Sequence, residues 1–185
     1  MFAELLAHPG VVEEMELGSA FGFMALHGGS VERETAEIAR EAAARSGASI
    51  YSVMQPEDLW WHIPSVLADP AASPALEAFL EHVDVVVSIH GYGRPDGHRS
   101  LLLGGANRTL AAAAADTLRP ALPGYVIVDD LDAIPPALRG LHPANPVNRP
   151  RGGGVQLELP GRVRSRRLPD RAALVDALAT LARCM

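Results

Sequence analysis

The chain has 185 residues, 48% hydrophobic and 21% charged, which is enough apolar side chain for one packed domain and too much for a disordered chain. Its formal net charge is −6, against the basic balance of a nucleic-acid binder, and no apolar run approaches the ~20 residues that span a bilayer. The single cysteine, Cys184, excludes a disulfide framework, and all sixteen basic residues are arginine, so no lysine can form a Schiff base or a P-loop contact.

The opening MFAELLAHPGVVEEMEL carries acids early and no basic region, unlike a secretory signal, so the expected compartment is the cytoplasm. FGFMAL (21–26), bounded by Gly18 and Gly28, reads as a buried strand. TAEIAREAAARS (35–46) reads as a helix, with acids in its first turn, Arg45 in its last and Gly47 just beyond. ASIYSV (48–53) is a second strand, and residues 60–70 form a loop broken by Pro64 and Pro70. Ser73 and Pro74 open a short helix over 74–82. DVVVSI (84–89) has no alternation, as in a strand buried on both faces.

SLLLGG (100–105) is a further strand, and Asn107 caps a helix running through Leu118. GYVIVDD (124–130) is a strand, residues 135–154 are irregular, and GVQLEL (154–159) is an alternating strand. Asp170 caps a closing helix over 171–183. Strands alternating with helices predict a layered α/β fold, as a single domain over residues 1–185.

Polar residues fall where strands hand over to loops. His27 follows FGFMAL, and His90 follows DVVVSI. Ligand sites in open α/β sheets gather at such strand ends. Each histidine precedes a glycine, and Glu32 stands five residues after His27 across a short glycine turn. Two imidazoles and a carboxylate with an open fourth position form a catalytic zinc pattern. The alternative is a pair of ordinary loop histidines, with Glu32 as a helix-start acid. Glu158 shares a strand face with Gln156, opposite Val155, Leu157 and Leu159. That face is either solvated or aims Glu158 at a metal-bound water as a general base.

Residues 145–171 hold seven arginines against Glu158 and Asp170, a local balance of +5 that leaves −11 for the rest. A site there would favour an anionic substrate. Arg149, in a loop just before the glycine run, is the better candidate for gripping a carboxylate; Arg164, Arg166 and Arg167 could be a solvated strand edge. His62 follows two tryptophans and either packs on them or lines a pocket, and His98 could donate a proton near the His90 loop or lie exposed. His8, His82 and His142 read as surface or structural residues, and Cys184 lies too far along the chain from the histidine segments to be a nucleophile.

The ordered segments ALHGGSVERETAEIA, LWWHIPS, VVVSIHGYG, LLLGGAN and NPVNRPRGGGVQLELPGRVR cover about three quarters of the chain. Together they resemble the poly-gamma-glutamate hydrolase family, also known as phage-related replication proteins. The resemblance implies a zinc carboxypeptidase-like α/β fold, three-layered, with a mixed, mostly parallel sheet flanked by helices. It implies hydrolysis of a γ-glutamyl amide bond in an anionic glutamyl peptide, with one zinc ion on His27, Glu32 and His90. Glu158 would be the general base, and Asn148 with Arg149 would receive a substrate carboxylate. Family members carry a Gly-Thr pair after the metal glutamate, where this chain reads Arg33-Glu34-Thr35. The added acid would oppose a polyanion. Two other readings use the same residues: deacylation of a small N-acyl amino acid, and a non-catalytic metal-stabilised binding module. Neither nucleic acid nor membrane is expected as a partner.

Overall fold

The computed structural model describes residues 1–93 and 97–185. Seven strands form one sheet: β1 (Val12–Glu16), β2 (Ser19–Gly29), β3 (Ala48–Gln55), β4 (Val85–Tyr92), β5 (Ser100–Leu103), β6 (Val126–Val128) and β7 (Gly154–Pro160). Their order is β1-β3-β2-β4-β7-β5-β6. The centre, β3-β2-β4-β7, is parallel, as is β5-β6, while β1 joins β3 and β5 joins β7 in antiparallel fashion.

Helices cover both faces. On one side lie α2 (Thr35–Ser46), α4 (Arg108–Ala121) and α6 (Pro169–Cys184), packed on Phe21, Phe23, Val87, Ile89, Val155 and Leu157. On the other lie α1 (Phe2–Leu6) and α3 (Pro74–His82), packed on Met24, Leu26, Tyr51, Val53 and Val86. The one-turn α5 (Gly161–Arg164) links β7 to α6. The result is the expected three-layer architecture. None of the described helices is long and apolar enough to cross a membrane.

Local chemistry explains the helix ends. Ser73 accepts the Leu76 N–H at 2.9 Å, and Asn107 accepts the Leu110 N–H at 2.8 Å. Gly47 closes α2 at φ 73°, where a side chain would be strained. Two ends differ from expectation. The last turn of α4 continues through Pro120 to Ala121. Asp170 does not cap α6: Pro169 occupies the first turn, where its missing N–H costs nothing, and the Asp170 carboxylate accepts the Tyr125 hydroxyl at 2.8 Å.

The strands run further than their apolar cores, so His27 and His90 lie inside β2 and β4 rather than after them. Phe21, Phe23 and Ala25 face the α2 side, and simple alternation would send His27 with them. The register with β3 shifts between Ala25 and Gly28. That bulge reverses the alternation and turns His27 to the opposite face. Gly29 then takes φ 78°, and a Cβ there would strike the Gln55 backbone. Gly29→Ala should therefore cost about 2–3 kcal/mol in urea unfolding, from left-handed strain and backbone displacement together.

Candidate active site

His90 shares the sheet face of Val86 and Ser88, and Glu158 stands directly opposite it in the β4–β7 register. With the turned His27, three central strands deliver polar side chains to one point. Glu32 reaches the same point from the loop after β2. Its N–H donates to the His27 carbonyl at 2.8 Å, and the Thr35 hydroxyl donates to the Glu32 carbonyl at 2.7 Å. A cavity of about 610 Å³ opens here, lined among others by His27, Glu32, His62, His90 and Glu158.

Glu32 is the hub. One carboxylate oxygen lies 2.9 Å from His27 Nδ1; the other accepts the Gly91 N–H at 2.9 Å and lies 3.4 Å from His90 Nδ1. The His27 and His90 rings are 5.0 Å apart between centroids. Burial alone would raise the Glu32 pKa, but the His90 charge and the bonds to both imidazoles outweigh it and hold the group far below the carboxylate range. His90 shows the reverse balance: burial lowers its pKa, the Glu32 charge raises it further, and the net shift is upward.

The donor set fits a metal ion. His27 Nε2 lies 2.8 Å from the Ile63 carbonyl, which can only accept, so Nε2 carries the ring proton. In the neutral ring, the Nδ1 lone pair then faces a carboxylate oxygen, an arrangement that calls for a cation. His90 is similarly anchored, with Nε2 3.0 Å from the Ser88 hydroxyl and Nδ1 free towards Glu32. Second-nitrogen anchoring of this kind is typical of metal-binding histidines.

His62, which the sequence allows either to pack on the tryptophans or to line a pocket, lines the cavity. Its ring centroid is 4.7 Å from that of His27, and ligand atoms of His27, Glu32 and His62 lie within 4.8 Å of one another. Partial burial and the nearby His27 charge push its pKa down. In the sequence its one pointer was the LWWHIPS segment.

Glu158 is 4% exposed, which removes the solvated-face reading. Its Oε1 accepts the Gln156 side-chain N–H at 2.9 Å. Among the described residues its other oxygen meets no donor. Burial raises its pKa, the His90 charge partly offsets that, and the Glu32 charge adds to the rise.

Asn148 and Arg149 do not join this cluster. Asn148 spends its side chain on backbone, donating to the Gly140 and His142 carbonyls and accepting the Ala106 N–H. Arg149 is exposed and lines a separate depression with Phe2, Val66 and Asp69. The arginines after β7 form no strand edge. Arg164 turns inward, donates to the Leu159 and Arg33 carbonyls, and fills the space that a Cβ on Gly91 would need. Glu34 is neutralised by Arg166 and Arg171, at 2.6 and 3.0 Å, so the added acid is already paired.

His90 generates a pH prediction. A raised imidazole adds stability below its ordinary value of 6.5, and that stability disappears as pH rises through the folded value. Metal-free protein should lose stability above about pH 6.5 in urea unfolding. A metal ion bound to the His90 imidazole would compete with the same proton, so the stabilisation it added would grow over that range.

The sequence model of the family described as poly-gamma-glutamate hydrolase matches residues 2–173. No functionally curated protein matches the chain. A bacteriophage poly-gamma-glutamate hydrolase structure superposes at TM-score 0.77 and 21% identity, over 93% of this chain and 87% of that one. The zinc-free form of YNDL superposes at 0.75 and 22%, over 92% and 90%. A Burkholderia mallei protein provisionally assigned as a carboxypeptidase superposes at 0.51 and 10%, over 98% and 64%. The expected carboxypeptidase-like architecture is thus the observed one, and the chain belongs to the poly-gamma-glutamate hydrolase family.

Proposed function

We propose that this chain is a zinc-dependent hydrolase of γ-glutamyl amide bonds. One observation carries the reading: a metal-type donor set and a buried carboxylate of raised pKa occupy facing strands in a single cavity. Family membership supplies the bond class.

His27, Glu32 and His90 would hold the ion. His90 is the better third ligand than His62, because it is 3% exposed and anchored by Ser88, whereas His62 is exposed at the cavity mouth. When bound, zinc polarises a carbonyl oxygen and lowers the pKa of a coordinated water toward ~7.

Glu158 performs the proton transfers. It takes a proton from the attacking water on its undonated oxygen and delivers it to the departing amine nitrogen. Its raised pKa suits both halves, because the conjugate acid forms readily and releases again. Gln156 holds the other oxygen, and the Asn145 side chain fixes Gln156 in turn at 2.9 Å. A rigid chain of amides therefore aims the base. A non-catalytic binding module has no use for such a group beside its metal.

Glu158→Gln keeps the shape of the side chain but cannot take a proton at neutral pH. Turnover of a γ-glutamyl oligomer should fall roughly 10²–10⁴-fold. Zinc content and melting temperature should stay at the wild-type values. An unchanged rate would remove the base assignment, and zinc lost together with activity would make Glu158 a ligand.

A further inference from the structure

Arg139 is the one arginine among the described residues that line the cavity. It sits on the strap between β6 and β7, in the stretch that the sequence marks as irregular. The Nε of Arg139 donates to the Ile134 carbonyl at 2.8 Å, which fixes the plane of the group. Its remaining nitrogens have no carboxylate partner among the described residues. Arg40, Arg119, Arg151, Arg166 and Arg171 are all spent on acids.

The strap is held in place before any ligand arrives. The Gly105 N–H donates to the Arg139 carbonyl at 2.7 Å. Asn148 donates to the Gly140 and His142 carbonyls at 2.7 and 3.0 Å. His142 also lines the cavity, and its Nδ1 accepts the Ala144 N–H at 3.1 Å, so its proton sits on Nε2 as a free donor. A fixed fork with an imidazole N–H on the same strap suits a carboxylate.

Resting on the γ-glutamyl hydrolase reading, the geometry points to Arg139 as the receptor for the free α-carboxylate of the glutamyl residue at the scissile bond. In a γ-linked chain every residue carries that group on the carbon that bears its amide nitrogen. An α-linked chain displaces it along the side chain. Arg139 thus takes the role that the family resemblance places on Arg149, and Asn148 serves it from behind by holding the strap.

The test compares two γ-glutamyl oligomers, one with free α-carboxylates and one with α-carboxamides, on the zinc-loaded full chain. Arg139→Gln should raise KM for the acid oligomer about 10- to 100-fold, as expected for loss of a charged hydrogen-bonded contact, and leave the amide oligomer unchanged. Arg139→Lys should restore part of the loss, and Arg149→Gln should match wild type on both. Wild-type kinetics for Arg139→Gln on both oligomers would overturn the assignment alone. Equal losses on both, or reduced zinc content, would overturn it in favour of a structural role. Wild-type enzyme that cleaves neither oligomer would overturn the hydrolase reading and the inference with it.

Discussion

A single buried carboxylate organises this molecule. Glu32 is 8% exposed and removed from most of the water that would solvate its charge. An isolated carboxylate in such a place costs several kcal/mol. Two imidazoles and a backbone N–H offset that cost, and they come from two neighbouring strands: His27 from β2, His90 and Gly91 from β4. The loop that carries Glu32 is closed on His27, and the bulge in β2 exists at the point where His27 must turn. The neighbouring Arg164 lies against Gly91 with its guanidinium on backbone carbonyls, so glycine is required there for a packing reason.

A second charge system holds this region from outside. Glu34 adopts φ 73°, uncommon for a residue with a side chain, immediately before α2. Its carboxylate joins Arg166 and Arg171, and Arg171 also binds Glu41. The acid that sequence comparison marks as a departure therefore ties the start of α2 to the start of α6. Much of the +5 balance of residues 145–171 is consumed in the same way, so it creates no broad cationic face. The cation left over for the cavity lies outside that stretch.

The helices were the most legible parts of the sequence. The bounds of α2 and α3 follow from Gly47, Ser73 and Pro74, because capping is a local backbone effect. The valine-rich β4 was equally clear, because continuous apolar residues signal burial on both faces. The five-residue α1 is too short for its Phe2–Leu5–Leu6 spacing to stand out, and the polar edge strand β1 has no apolar alternation. Of the site, His27, Glu32, His90 and Glu158 were legible from glycine spacing, strand alternation and family resemblance, and the cavity contains all four. Arg139 and His142 were not, and His62 was legible only as one of two alternatives, because long-range packing folds their irregular segments over the sheet and no local rule predicts that. Asn148 and Arg149 show the converse. Adjacent in sequence to the glycine run, they are directed by a short helical turn towards backbone and solvent.

His90 and Glu158 occupy one rung of the β4–β7 ladder. The distance between their backbones is set by main-chain hydrogen bonding in the middle of a parallel sheet, the least adjustable part of the fold. The walls of the cavity come instead from chain segments without ladder partners, around His62 and between Pro136 and Asn145. On the proposed reading, proton transfer and substrate choice would thus reside in parts of different stiffness. An exchange of wall segments would change what the cavity admits while the spacing of His90 and Glu158 stays set by the sheet.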